Sequence, residues 1–153
     1  MRVFFDTSAL AKLFVPEAGT DEMNAMLAQA GMEVWVSALA PLEFHSMAWR
    51  RHREGQLDAA RVTALLDTLD QQLHEWQVIG LTPSVLQGAR DLLAAHAGQH
   101  ALRTLFSLPR SARCSKTGPA TFGCPDSRLC AVAALRGHTT FNPVASRQPQ
   151  RPS

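Results

Sequence analysis

Residues 1–14 read MRVFFDTSALAKLF, and this stretch decides the fold. Residues 3–5, Val-Phe-Phe, are a short β-branched and aromatic run between polar residues, which predicts a buried strand in a sheet covered on both faces. The following residues favour a helix capped by Thr7 or Ser8, with its apolar side chains on one face. Asp6 therefore lies between a strand and a helix, at the carboxyl edge of an open α/β sheet, where such folds bind ligands.

Two interpretations of Asp6 stay open on these residues alone. A carboxylate beside the hydroxyls of Thr7 and Ser8 suits a hard cation such as Mg²⁺ or Mn²⁺. Aspartate is also one of the commonest helix caps. Asp6 is either a metal ligand or a helix-capping residue of a first strand.

Length and composition predict one domain. The chain has 153 residues, enough to bury a core but too few for two ordinary domains. We expect the domain to span residues 1–144 and residues 145–153, rich in Arg, Gln, Pro and Ser, to be a disordered tail. No stretch resembles a signal peptide or a membrane span, so a cytoplasmic protein is expected. Three cysteines without metal-ligand spacing are expected to be reduced and unpaired.

Strand and helix patterns alternate along the chain. Strands are predicted at residues 3–5, 34–36, 77–81, 121–124 and 138–143, with amphipathic helices between them. This alternation predicts a three-layer α/β/α domain with a parallel sheet. A helix from Leu39 would bring Glu43 close to the edge that carries Asp6, and Asp126 follows the fourth strand. Glu43 also has a simpler interpretation, as a favourable negative charge at a helix N-terminus.

Four stretches in this order and spacing resemble a known family. They are FFDTSAL at residues 4–10, SALAPLE at 37–43, HALRTL at 100–105, and DSRL at 126–129 followed by TFNP at 140–143. Together they resemble the PIN-domain family, in particular the VapC-type toxins of bacterial toxin–antitoxin pairs. The resemblance implies a ribonuclease of the three-layer α/β/α type that uses Mg²⁺ or Mn²⁺. It also implies a homodimer bound to a cognate antitoxin protein.

The resemblance assigns roles to particular residues. Asp6 and Glu43 correspond to the first two acids of the metal site and Asp126 to the fourth, and Thr7 and Ser8 would make secondary contacts. RNA would approach along basic residues, for which the candidates are Arg50, Arg51, Arg53 and Arg103. A solvated helix end explains the first three arginines equally well.

The third acid of the family pattern is missing. Phe106 stands at its position, and residues 106–115, FSLPRSARCS, contain a proline and no apolar face where a helix is expected. Because the family pattern resumes near Thr117, we hypothesise two compensating frameshifts across this segment, in the gene or in its sequencing. The genomic DNA tests this, since another reading frame should encode an Asp followed by a helical apolar pattern. The chain as written is then expected to be an impaired ribonuclease.

Three other interpretations remain. A catalytically inactive PIN-fold module would bind an antitoxin or dimerise without cleaving RNA. A decayed gene product would expose apolar surface and aggregate. A phosphatase of the haloacid-dehalogenase type also begins with an Asp after its first strand, but it needs a second Asp where this chain has Ser8.

Overall fold

The computed structural model describes residues 1–95 and 120–145. Its strands are β1 (Arg2–Phe5), β2 (Glu33–Ser37), β3 (Gln77–Ile79), β4 (Ala120–Gly123) and β5 (Thr139–Phe141). Its helices are α1 (Thr7–Phe14), α2 (Thr20–Leu27), α3 (Ala40–Arg53), α4 (Ala59–Leu73), α5 (Pro83–Ala95) and α6 (Ser127–Leu135). None of these helices is long and apolar enough to cross a membrane.

The five strands form one parallel sheet in the order β3-β2-β1-β4-β5. The chain moves outward from β1 through β2 to β3, then returns to place β4 on the other side of β1. Phe5 at the end of β1 is in register with Val36 on one side and Gly123 on the other. The direction of the strand order therefore reverses at β1, and open α/β sheets bind ligands beside such a reversal.

Each face of the sheet is covered by its own core. Val3 and Phe5 of β1 pack with buried residues of α1 to α4, including Phe14 and Phe44. Phe4 points to the opposite face, where its ring stacks on Phe122 at 6.2 Å, in a core completed by residues of α5 and α6. Successive residues of a strand face opposite sides of a sheet, so the Val-Phe-Phe run needs helices on both. The predicted three-layer α/β/α arrangement is confirmed.

A glycine permits the close approach of β1 and β4. A Cβ atom at Gly123 would lie 2.5 Å from Cδ1 of Phe5, a distance that real Cβ contacts do not reach. Just beyond this point the Asp6 amide donates to the Gly123 carbonyl oxygen at 3.0 Å. The carboxyl ends of the two strands are thereby held side by side.

The predicted cap of α1 and the predicted ends of two strands are wrong, and some predictions concern residues outside the described ranges. Thr7 and Ser8 do not cap α1: the helix begins at Thr7, and Asp6 is its N-cap, with extended backbone angles and a carboxylate that accepts the Ser8 amide. The third and fifth strands are shorter than predicted and end at Ile79 and Phe141. The predictions outside the described ranges concern Arg103, the segment 106–115 with Phe106 and one of the three cysteines, Cys114, and the tail from residue 146.

An ion-pair cluster joins α1 to α3. Lys12 is only 8% exposed, and its ammonium donates to Glu17 Oε1 at 3.0 Å and to the Ala18 carbonyl at 2.8 Å. Arg51 donates to the other oxygen of Glu17 at 3.0 Å. Burial raises the pKa of Glu17, but the hydrogen bonds and charges of Lys12 and Arg51 outweigh it and hold that pKa below its ordinary value.

We expect Glu17→Gln to lower the free energy of unfolding at pH 7 by about 1–2 kcal/mol, because Lys12 loses its carboxylate partner while buried. The folded-state pKa of Glu17 lies below the unfolded value near 4.5. The stabilisation is therefore fully present above that pH and is lost as the pH falls through the folded-state pKa. Urea denaturation at a series of pH values measures the difference, with the exposed Glu75→Gln as control. A difference that persists unchanged at pH 3 would contradict this account.

Candidate active site

An open cleft of about 580 Å³ lies at the carboxyl edge of the sheet. Three predicted acids line it: Asp6 follows β1, Glu43 lies in the first turn of α3, and Asp126 follows β4. Although Asp6 and Asp126 are far apart in sequence, the parallel pairing of β1 and β4 brings them to one edge. The cleft therefore lies at the reversal of strand order.

The helix-capping interpretation of Asp6 is confirmed, and the residue also lines the cleft. Its Oδ2 accepts hydrogen bonds from the Ser8 hydroxyl at 2.5 Å and from the Ser8 amide at 3.3 Å. The carboxylate thus caps α1 while it lines the cleft. Helix capping and a site role do not exclude each other, because both draw the carboxylate to the helix N-terminus, where negative charge is favoured.

Glu43 is held by a residue from another helix. The Thr7 hydroxyl donates to Glu43 Oε2, which links the start of α1 to the start of α3. The Ser37 hydroxyl accepts the Leu39 amide at 2.9 Å in the turn that leads into α3. The two hydroxyl residues predicted as secondary contacts are therefore each bonded to an acid, Thr7 to Glu43 and Ser8 to Asp6.

Asp126 caps the last described helix. Its Oδ1 accepts the amides of Arg128 at 2.9 Å and Leu129 at 3.2 Å. The preceding loop is fastened by Asn142, whose side-chain amide donates to the Pro125 carbonyl at 3.3 Å. One carboxylate oxygen of Asp126 is thereby committed to α6, which fixes the position of the side chain at the cleft wall.

Comparison with known proteins identifies the family. No protein-family profile matches the chain. Ribonuclease VapC47 of Mycobacterium tuberculosis (strain CDC 1551 / Oshkosh) is 32% identical over 149 residues, which cover 95% of this chain and 99% of that protein. The chain belongs to the VapC family. The resemblance drawn from the sequence motifs is confirmed.

Solved structures share the fold of this VapC-family chain at low sequence identity. FitAcB from Neisseria gonorrhoeae is 16% identical, with a TM-score of 0.68 over 94% of this chain and 99% of that chain. VapBC-1 from nontypeable Haemophilus influenzae is 10% identical, with a TM-score of 0.62 over 94% and 98%. A toxin–antitoxin complex from Klebsiella pneumoniae is 16% identical, with a TM-score of 0.62 over 92% and 97%.

Cys124 is a cleft residue of this VapC-family chain that the sequence analysis did not single out. Its buried sulfur lies 3.9 Å from Asp6 Oδ2 and accepts the Asp126 amide at 3.4 Å, so it lies between the Asp6 carboxylate and the backbone of Asp126. A hydrogen bond with the Cys130 thiol, burial and the charge of Asp6 raise the pKa of Cys124 far above its ordinary value, which keeps the thiol neutral. Both cysteines are unpaired. The sequence signal that could have identified Cys124 as a cleft residue is its position directly after β4.

The predicted arginines have different surroundings. Arg50 lines the cleft. Arg51 is turned away into its ion pair with Glu17. Arg53 is exposed near the end of α3 and is not among the residues that line the cleft. Of the α3 arginines proposed from the sequence, Arg50 alone lines the cleft.

The three acids of this VapC-family site offer carboxylate oxygens, and two of them have a hydroxyl beside them. Oxygen ligands of this kind are the ones that a hard cation prefers. Within residues 1–95 and 120–145, however, no three His, Cys, Asp or Glu side chains are grouped closely enough to hold a metal ion. The carboxylates are instead directed at Ser8, Thr7 and the amides of α6. Cation binding would require these side chains to turn toward one another.

Proposed function

We propose that this protein is a metal-dependent endoribonuclease and the toxin of a toxin–antitoxin pair, with Mg²⁺ or Mn²⁺ as its cation. One observation carries the proposal: Asp6, Glu43 and Asp126 line a single cleft where the strand order reverses. The family supports the same activity, since the relative that is 32% identical is a ribonuclease. We expect the protein to act in the cytoplasm.

The chemistry follows from the demands of phosphodiester hydrolysis. A bound divalent cation supplies an activated water and offsets the charge that develops on the phosphoryl group. Asp6, Glu43 and Asp126 would hold that cation. The Thr7 hydroxyl fixes one oxygen of Glu43 and the Ser8 hydroxyl one oxygen of Asp6, so each acid keeps a defined orientation before substrate arrives.

Partners are proposed from the same family. The fold neighbours include VapBC-1 and a toxin–antitoxin complex from Klebsiella pneumoniae. We expect this chain to form a homodimer and to bind its own antitoxin protein. Size-exclusion chromatography with light scattering, alone and after coexpression with the product of a neighbouring gene, measures both.

A second candidate is an inactive PIN-fold module that binds an antitoxin or dimerises. It is favoured by Phe106, which stands in the sequence where the family pattern has its third acid. The dispersed carboxylates of the described residues agree with a weakened cation site. This candidate predicts stable complexes without metal-dependent cleavage.

Cleavage of a mixed RNA substrate by the full chain separates the two candidates. The assay compares Mg²⁺, Mn²⁺ and EDTA, and a version of the chain whose residues 106–115 follow the family pattern. We expect metal-dependent cleavage by the restored version and at least about a hundredfold less by the chain as written, because clustered acids act as a unit. Equal rates would show that three acids suffice and that Phe106 is harmless. Absence of cleavage by both chains would overturn the ribonuclease proposal.

A further inference from the structure

One face of α3 runs along the cleft. Glu43, Ser46, Met47 and Arg50 all line it, and their spacing of three and four residues places them on a single helical stripe. Glu43 lies at the acidic end of this stripe and Arg50 at the other. Seven residues at 1.5 Å each separate their Cα atoms by about 10 Å along the helix axis.

The Arg50 side chain is exposed at the cleft and can bind a ligand, whereas the Arg51 side chain is held in an ion pair. The Arg50 side chain is 58% exposed, and its Nε lies 4.0 Å from Glu54 Oε1, a loose surface pair. The Arg51 side chain is 21% exposed and is bonded to Glu17 at 3.0 Å. Among the cleft-lining residues that the structure describes, Arg50 is the only lysine or arginine.

A cleft with three carboxylates repels a polyanion. A phosphate that enters it needs a compensating positive charge, and a guanidinium is the side chain best suited to bind phosphate oxygens in pairs. Arg50 lies about two helical turns beyond Glu43, and its Nε lies 4.0 Å from Glu54 Oε1, a further turn away from the acids, so its guanidinium lies beside a different phosphate from the one at the acids. Arg50 is therefore placed to bind a neighbouring phosphate of the same strand.

We propose that Arg50 forms a subsite for the RNA phosphate next to the one that is cut, and that this contact sets the register of the strand along α3. The proposal rests on the proposed function for its substrate class. It narrows the sequence-based expectation, which named Arg50, Arg51, Arg53 and Arg103 without distinguishing among them. The subsite involves a single arginine and a single phosphate.

Binding is measured without cleavage, by fluorescence anisotropy of a labelled single-stranded RNA in EDTA. We expect Arg50→Gln to weaken binding about tenfold, as the loss of one charge-assisted hydrogen-bonded pair. The slope of log affinity against log salt should fall by about 0.7, the value for one phosphate contact to a single strand. Arg53→Gln removes the same charge from the same helix outside the cleft, and it should weaken binding less than about twofold.

Neutral methylphosphonate linkages, introduced one at a time, locate the contact. In the unaltered protein one linkage should cost about tenfold in affinity, and in Arg50→Gln the same linkage should cost almost nothing, because the pair is already broken. The linkage that couples to Arg50 should neighbour the linkage that is cut when Mg²⁺ is supplied to whichever version of the chain cleaves measurably, as written or with residues 106–115 restored.

Equal losses from Arg50→Gln and Arg53→Gln, with no linkage coupled to Arg50, would overturn the subsite and favour a diffuse charge effect. Coupling to the cut linkage itself would also overturn it. The anisotropy measurement does not depend on catalysis. A chain that shows the coupling but never cleaves RNA would therefore contradict the proposed activity and leave the phosphate contact standing. Circular dichroism checks that each variant is folded.

Discussion

Replacing Asp6 by asparagine is expected to lower metal-dependent RNA cleavage by about a hundredfold or more. The substitution removes one charge from the acids at the reversal of strand order, and ligands of a shared cation act as a unit. Asparagine has nearly the same size and is also a good helix cap, so α1 should keep its start at Thr7. The loss should therefore appear in activity with little change in stability.

The assay uses whichever version of the chain cleaves measurably, as written or with residues 106–115 restored. Asp67→Asn is the matched control, since Asp67 is an exposed acid of α4 that does not line the cleft. Thermal denaturation should give the same midpoint for all three proteins within a few degrees. If Asp6→Asn cleaves as fast as its parent, Asp6 is a helix cap and nothing more.

Phe44→Ala is expected to lower the free energy of unfolding by about 3–5 kcal/mol. Phe44 is fully buried, and its ring meets that of Phe14 edge to face at 5.1 Å. Removing the ring leaves a cavity between α1 and α3 and forfeits an aromatic contact. A loss of this size in a chain of this length should lower the melting temperature by about 10 °C or more.

Leu42→Ala is the control for this change. Leu42 lies two residues away in the same helix and is 69% exposed, so its truncation should change the free energy of unfolding by no more than about 0.5 kcal/mol. Urea denaturation of both variants measures the contrast. Similar losses in the two variants would contradict the assignment of the effect to packing between α1 and α3, because alanine is the better helix former at both positions.

Much of the fold was predictable because its signals are local. The Val-Phe-Phe run with its following carboxylate predicted a doubly covered strand, and β1 is buried on both faces. The alternation of strand and helix patterns predicted the parallel sheet. Asp6, Glu43 and Asp126 were predicted to lie at one sheet edge, Asp6 and Asp126 because each follows a strand, and Glu43 because it lies in the opening turns of the helix that follows β2.

The remaining details depend on contacts that a sequence does not display. Whether Asp6 or Thr7 caps α1 is decided by backbone angles at a single residue. The arginines of α3 look equivalent in sequence, and they are distinguished by helix rotation and by Glu17, which reaches Arg51 from a loop. Cys124 was read as an ordinary thiol, since its place between two acids arises only from the pairing of β1 with β4.

The placement of β1 between β2 and β4 also determines when the cleft can exist during translation. β1 is synthesised long before its neighbour β4, which begins at Ala120. A nascent chain can pair β1 with β2 and β3 early, since domains begin to fold from the N-terminus as it emerges. Asp126 can join the other two acids only after β4 has been synthesised. For a ribonuclease, this order leaves the set of three acids incomplete until β4 has emerged from the ribosome.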